Sequence, residues 1–346
     1  MAVTQASDLF IPEVCIEYAS QAFVQSIDVM QQMVGGEESP IQIMSDPIFA
    51  SEGQYIQRPV FTRIGSTLVT RRDLTSVSTV TPLKLAGSNE IGVKVHRKIG
   101  PVDVSEDAAR LSRATPAEIS QELGKQMGEE LALNMQHTLI AAALGALDGM
   151  SSTVHTLTVW SATARTNLSP DLLNRALELM GDQRQKFRTE AKILTRSESH
   201  TDLYTDALGR NFPGVGDRAL KGDMYTNDLG MGPACVVDDS LLTTADAGFD
   251  KYTTLLLGKG FMQVWFTLPF HLYPVFGPIL DTEQVIIRLR ADADFAVGVH
   301  GKQWDVANGG ANPSDSTIAT STNWDDTYSN HREVRGLKIV HNYSGN

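Results

Sequence analysis

The chain has 346 residues, 42% of them hydrophobic and 20% charged, with a formal net charge of −12. This is the composition of a globular chain with a sizeable core, and its acidic balance argues against a protein whose main task is gripping nucleic acid, which carries a basic footprint. No run of roughly 18 apolar residues is present to span a membrane, and the N-terminus lacks the basic flank and continuous apolar stretch of a secretory signal.

Length sets a soft expectation of about two domains. Cys15 and Cys235 are the only cysteines. Two thiols so far apart read as buried small residues in a reducing compartment rather than as a bridge.

Charge is segregated along the first hundred residues. From Met1 to Gln57 there is no Lys or Arg, while Asp8, Glu13, Glu17, Asp28, Glu37, Glu38, Asp46 and Glu52 are present. From Arg58 to Lys98 the balance inverts: Arg58, Arg63, Arg71, Arg72, Lys84, Lys94, Arg97 and Lys98 face only Asp73 and Glu90. Two readings stand. The segments are surfaces on different copies that attract one another, or they are two ordinary solvated faces.

In chain order, Pro12 to Val34 reads as a helix with Val14, Tyr18, Ala22, Phe23, Ile27 and Met30 at three- and four-residue steps, ended by Gly35 and Gly36. It has too little apolar content to fold alone. Tyr55 to Leu68 and Asn89 to Val104 read as the two arms of a long hairpin: Ile91, Val93 and Val95 alternate with Gly92, Lys94 and His96. The tip between them is polar and basic. An isolated hairpin is marginal in water, so a long basic one implies a surface to lie on.

Thr115-Pro116-Ala117-Glu118 is a capping box with Pro at the first helical position. Ile119, Leu123, Met127, Leu131, Met135 and Leu139 then form one stripe at a step of four. The pattern runs to Asp148 with Gly149 as cap, about 33 residues or roughly 50 Å. A helix of that length in a mixed protein is a spine on which other layers rest.

Beyond it the chain reads as a compact α+β unit. A short strand at Val154 to Val159 precedes a helix opened by Ser169-Pro170 and packed through Leu172, Leu173, Ala176, Leu177 and Met180. A strand at Ala191 to Thr195 leads to a Ser199-capped helix through Leu208. Strands follow at Ala234 to Val237, Tyr252 to Leu257, Phe261 to Phe266 and Gln284 to His300. In the last, Ile287, Leu289, Ala291, Ala293, Phe295, Val297 and Val299 share one face; Arg288, Arg290, Asp292 and Asp294 share the other as a charge ladder. Asn308 to Asn323 reads as an irregular loop and Gly336 to Tyr343 as a closing strand.

Chemical motifs are missing. Gly258-Lys259-Gly260 lacks the second half of a phosphate loop and reads as a tight turn between strands. There is no Cys-x-x-Cys or His-Glu-x-x-His. Ser197, Ser199, His200 and Asp202 are triad residue types without a nucleophile elbow. Asp238-Asp239 reads as a strand-end turn, and His137 as a satisfied structural residue.

The order of elements, with several local stretches, resembles the tailed-bacteriophage major capsid protein family. Asp8 to Val14 (DLFIPEV) is similar to the family's N-terminal arm, Glu52 to Phe61 (EGQYIQRPVF) to the start of its extended loop, and Ser78 to Lys84 with Val93 to Lys98 to the return strand. Asp107 to Ser112 and Asn134 to Ile140 resemble the approach to the spine helix and its second half. Val236 to Ser240 and Leu257 to Gly260 resemble the axial domain, and Asn323 to Asp325 with Leu337 to His341 the C-terminus.

The resemblance implies an α+β tailed-phage major capsid protein fold. It divides the chain into an N-terminal arm (1–50), an extended hairpin loop (51–104), a peripheral domain with the spine helix (105–150 and 284–346) and an axial domain (151–283). It implies a structural, non-enzymatic subunit with no cofactor and no metal. Its partners would be itself, as pentamers and hexamers, a separate or already removed scaffolding protein, a portal, a decoration protein, and packaged double-stranded DNA held without sequence-specific contacts. It would be a virion component assembled in the host bacterial cytoplasm. Contact candidates between subunits are Arg63, Arg71, Arg72, Lys94, Arg97 and Lys98 against Glu122, Glu129 and Glu130, with Thr115 and Glu118 fixing where the loop joins the spine. A compartment shell of the same fold enclosing cargo enzymes is the alternative, and an unrelated α/β enzyme the third reading.

Overall fold

The computed structural model describes residues 10–27, 33–35, 37–44, 53, 55–61, 87–105, 115–149, 155–211, 234–246, 248–278, 285–328 and 331–343. Seven helices are described: α1 (Pro12–Ile27), α2 (Pro116–Asp148), α3 (Pro170–Glu178), α4 (Arg184–Glu190), α5 (Ser197–Asn211), α6 (Val306–Gly309) and α7 (Asp315–Ile318). Strands β1 (Val34–Gly35), β2 (Ile41–Met44), β3 (Tyr55–Phe61), β4 (Gly87–Ser105), β10 (Met262–Pro278) and β11 (Val285–Val299) form a first sheet in the order β1-β2-β10-β11-β4-β3. Strands β5 (Thr156–Thr158), β6 (Lys192–Thr195), β7 (Ala234–Val236), β9 (Lys251–Leu257) and β14 (Gly336–His341) form a second in the order β5-β14-β9-β6-β7, with β8 (Thr243–Thr244) on β9. β12 (Lys302–Trp304) pairs with β13 (Trp324–Asp326).

The spine α2 organises these layers. It starts as the capping box requires: the Glu118 N–H donates to the Thr115 hydroxyl at 3.3 Å, and the Thr115 N–H donates to the Glu118 carboxylate at 2.8 Å. Its two halves differ. From Thr138 to Leu147 every residue is buried, packed against residues of both sheets, including Val93, Val95 and Phe295 of the first and Leu194 and Leu255 of the second. A helix apolar on all sides is a core helix. In the first half Met127 and Leu131 are buried, while Ile119 and Leu123 are only half-buried against β11.

Helix α1 lies along the exposed half of the spine through its smallest residues. Cys15, Ala19 and Ala22 are the buried positions, rather than the expected Val14, Tyr18 and Phe23. Opposite them α2 carries Gly124 and Gly128. A Cβ at Gly124 would stand 2.4 Å from the Cys15 carbonyl oxygen, and one at Gly128 2.3 Å from that of Ala19. Two glycines one turn apart let the backbones touch, at a propensity cost of about 1 kcal/mol each. The Ile11 N–H donates to the Ser120 hydroxyl at 2.9 Å and pins the start of α1.

Several expectations are corrected. Helix α1 is described to Ile27, and Val34 does not belong to it: Val34 and Gly35 pair in parallel with Ile41 and Gln42 at the sheet edge. The short strand expected at Phe261 to Phe266 is the 17-residue β10, whose hairpin partner is β11. Sheet membership therefore departs from the expected boundaries: β10, within 151–283, belongs to the first sheet, and β14, within 284–346, to the second. The stretch from Asn308 to Asn323 is not irregular throughout, because the Asp305 and Ser314 side chains cap short helical turns. Helix α5 begins at Ser197, whose N–H and hydroxyl both donate to Asp238, while Ser199 is buried inside its first turn and is not the cap. The hairpin tip, including Thr75 to Thr81, falls outside the described residues.

Other readings hold. The Phe261 N–H donates to the Gly258 carbonyl in a tight turn between β9 and β10. His137 Nδ1 lies 2.9 Å from the Asp239 carboxylate, which also caps the turn at Ser240–Leu242. Neither cysteine is in a disulfide, both are buried, and burial pushes each thiol up to about 11.

A buried polar chain crosses the second sheet. The Thr195 and Thr254 hydroxyls lie 2.9 Å apart, Thr254 reaches His341 Nε2 at 3.0 Å, and His341 Nδ1 meets the Asn342 carbonyl at 2.8 Å. Burial pulls the imidazole down to about 4 against the hydrogen bond to Asn342. It is therefore neutral, with Nδ1 as donor and Nε2 as acceptor.

Three outcomes are expected. Gly128→Val should drive α1 off the spine and raise protease cleavage within residues 12–27, whereas Glu130→Val one turn-face away should not. Leu131→Ala should cost about 2–5 kcal/mol in a urea titration, and Leu123→Ala less because its burial is partial. The folded His341 value lies below the unfolded one, so its contribution is complete above pH 6.5 and is lost as pH falls towards about 4. Denaturant midpoints should drop by the equivalent of roughly 3 kcal/mol over that window, with a shallower slope in His341→Asn.

Candidate assembly surface

The hairpin, helix α1 and the outer face of the spine carry the residues expected to meet a partner. Strand β3 pairs with β4 from Tyr55↔Val93 to Phe61↔Gly87, and β11 pairs with β4 only from Val93 to Ser105. Residues 87–92 of β4 thus have β3 as their one described sheet neighbour, and this two-stranded ribbon reaches Phe61, which lines a cavity of the same chain with Gln183, Lys186 and Phe187. Phe61, where β3 leaves the described residues, is 73% exposed.

The expected contact residues separate into three groups. Arg63, Arg71 and Arg72 lie outside the described residues. Lys94 is buried and Arg97 half-buried within the subunit, rather than lying on an open face. Lys94 is only 5% exposed, opposite Ala296. Arg97 sits on the spine side of β4, where its guanidinium donates to the Thr138 hydroxyl at 2.9 Å and pairs with Asp315 of α7 at 2.5 Å. The alternation of β4 explains Arg97: Val93, Val95, Arg97 and Ile99 face the spine, and Lys94, His96 and Lys98 the opposite side. Lys98 is exposed.

On the spine, Glu122 and Glu130 are exposed and Glu129 is partly so, with Lys125 3.9 Å from Glu129. Glu13 and Glu17 are exposed on α1. Lys125 is the one Lys or Arg in these two helices, so the combined face is acidic. It is also studded with apolar groups: Val24 is 60% exposed and Leu133 54%. Glu118 is held below the ordinary carboxylate range by the Thr115 N–H and hydroxyl, so the cap is charged and intact at neutral pH.

The outer face of β4 and β11 is a self-satisfied ladder. His96 pairs with Asp294 at 2.9 Å, Arg290 with Asp292 at 2.9 Å, and Arg288 with Asp103 at 2.6 Å. The hydrogen bond from Arg288 holds Asp103 below its usual range. Paired this way within the chain, the ladder offers a neighbour little net charge.

Nothing in the described chain assembles reactive groups. The Ser197 hydroxyl donates to Asp238 and Glu198. Among the described residues no group of three His, Cys, Asp or Glu side chains is placed to hold a metal ion. Two features went unread in the sequence: the Gly124/Gly128 pair, visible as two glycines four apart inside a helix, and Glu90, visible as one of two acids in a basic run. Glu90 is 7% exposed and ties the ribbon to the turn after β11.

Comparison with known proteins follows this geometry. No curated protein sequence matches the chain. The structure is similar to a capsid asymmetric unit of cyanophage Pam1 (TM-score 0.59, 14% identity, covering 92% of this chain and 93% of that one). It is also similar to the capsid of Ralstonia phage GP4 (TM-score 0.55, 12% identity, 91% and 90%) and to an acid-stable capsid of Helicobacter pylori bacteriophage KHP30 (TM-score 0.51, 8% identity, 90% and 90%). These likenesses establish the tailed-phage capsid fold. Residues 14–337 match the Gp13-like model, described as major capsid protein 13-like, and the chain belongs to that family of major capsid proteins.

Proposed function

We propose that this chain is the repeating subunit of a phage head: copies assemble as pentamers and hexamers into a closed icosahedral shell around double-stranded DNA. The observation that carries the reading is the family match across residues 14–337. The role is structural, with no catalytic step. A scaffolding protein, a portal and a decoration protein are the expected partners in the host cytoplasm, where the shell would be built before it becomes part of the virion. The second sheet with α3 to α5 is the candidate axial unit, and the first sheet with α1 and α2 the candidate peripheral unit. The compartment-shell alternative draws no support from a family of major capsid proteins.

Neighbours meet through the hairpin. Its basic residues Arg63, Arg71 and Arg72, with exposed Lys98, are proposed to lie on the acidic α1–α2 face of an adjacent copy, against Glu122, Glu129 and Glu130. Each exposed pair contributes about 0–1 kcal/mol. Repetition over a closed shell makes the sum large, and charge complementarity selects neighbour and register.

The test is assembly of the full chain, alone and with its neighbouring gene products, followed by sedimentation and electron microscopy. Shell-sized particles are expected, and their rate of formation should fall with added salt, since exposed charges are screened beyond about 8 Å at physiological ionic strength. Arg71→Glu with Arg72→Glu should abolish them, and Glu122→Lys with Glu130→Lys should restore them. A chain that stays monomeric under every condition contradicts the shell reading. A double reversal that assembles normally contradicts the charge contact.

A further inference from the structure

Beyond the buried side chains of Ile56 and Val60, the ribbon is fastened to the body by the polar contacts of one cross-strand pair. Arg58 of β3 and Glu90 of β4 stand opposite each other in the register. Arg58 Nη1 donates to the Gln263 side chain of β10 at 2.8 Å. Glu90 accepts the Gly301 N–H at 2.8 Å, and the same oxygen lies 3.3 Å from His300 Nδ1. The Tyr328 hydroxyl also hydrogen-bonds to Glu90, and its ring lies 5.5 Å from that of His300. Two residues further along, β4 runs tight against β11: a Cβ at Gly92 would stand 2.8 Å from the Val297 carbonyl oxygen. Gly92 is thus a fulcrum, and Glu90 a clasp just beyond it.

A nearly buried carboxylate is costly to leave unpaired, so its presence in an otherwise basic segment calls for a role. We propose that Glu90 is the positioning residue that sets the angle at which the hairpin leaves the sheet, and with it which neighbouring subunit the tip can reach. The consequence for assembly rests on the shell reading above; the clasp itself does not.

The groups facing Glu90 are Arg58 from β3, His300 and Gly301 from the turn after β11, and Tyr328 beyond β13. Glu333 acts on Tyr328, and Lys302, paired with Asp326 at 2.5 Å, lines the same small cavity. Burial opposes ionisation of Glu90, but His300, the Gly301 N–H and Arg58 together outweigh it and hold the carboxyl below its ordinary 4.5. Burial first, then the charge and hydrogen bond of Glu90, push Tyr328 up to about 12. The clasp is therefore closed at neutral pH. Its contribution is complete above 4.5 and is lost as pH falls through the lowered value.

The experiment is amide hydrogen exchange on the unassembled full chain, corrected for intrinsic rates, in wild type and Glu90→Gln from neutral pH downwards. At neutral pH the variant should exchange about tenfold faster at residues 55–61 and 87–92, since charged hydrogen bonds are roughly twice as strong as neutral ones. Residues 93–105, backed by β11, should keep wild-type rates. In acid the wild type should approach the variant, whose own protection stays flat with pH. Should Glu90→Gln fail to fold, Tyr328→Phe and His300→Gln each remove one partner and should give smaller rises in the same amides. Wild-type protection in all folded variants, or loss spread evenly over the sheet, overturns the proposal. Because exchange is read before assembly, a selective rise in a chain that never forms shells keeps the clasp and rejects the shell reading; shells with unchanged exchange do the reverse.

Discussion

Complete burial of the second half of the spine helix is the constraint on which this structure depends. From Thr138 to Leu147 every position is enclosed, and residues of both six-stranded sheets are packed against it. Small side chains make that possible: Ala141, Ala142, Ala143, Gly145 and Ala146 let sheets and loops approach closely, and Leu139, Ile140, Leu144 and Leu147 fill the space between. Each large buried apolar side chain contributes about 1.5–3 kcal/mol. Neither sheet can shift relative to this segment without opening the core shared with the other.

The first half of the same helix serves a different purpose. One side rests on β11, one admits α1 through Gly124 and Gly128, and the third stays in water with its glutamates. Apolar burial thus lies within the subunit, and charge is left on the outer face of this half. The difference in magnitude makes that division sensible. A buried leucine outweighs any single exposed ion pair, so the proposed charge contacts would be weak beside the core that holds the subunit.

Much of this was legible in the sequence because local rules and tertiary structure agreed. The Thr115 capping box, the Gly149 end and the apolar face of β11 are set by nearest neighbours and periodicity, and all three stand as read. Apart from local cap positions such as Ser199, the failures share one cause, long-range pairing. Val34 continues a helical period yet joins β2, and the long β10 hides behind Pro269 and Pro274. Lys94 and Arg97 look like solvated charges in a basic run until β4 is placed against β11 and the spine. Arg97 in particular finds Asp315 over two hundred residues away, a partner that no spacing rule could name. The surface candidates were half legible for the same reason: acidity along the spine follows from helical periodicity, whereas the fate of each basic side chain depends on which strand face it occupies.

The central claim is that this subunit satisfies its apolar surface internally and reaches its neighbours through the basic hairpin. A reconstruction of assembled particles at side-chain resolution tests it most directly. Residues 62–86 of one subunit should be seen across the acidic α1–α2 face of the next, with Arg71 or Arg72 within ion-pair distance of Glu122, Glu129 or Glu130. Finding those residues folded back on their own subunit, with the acidic face in solvent, would contradict the account.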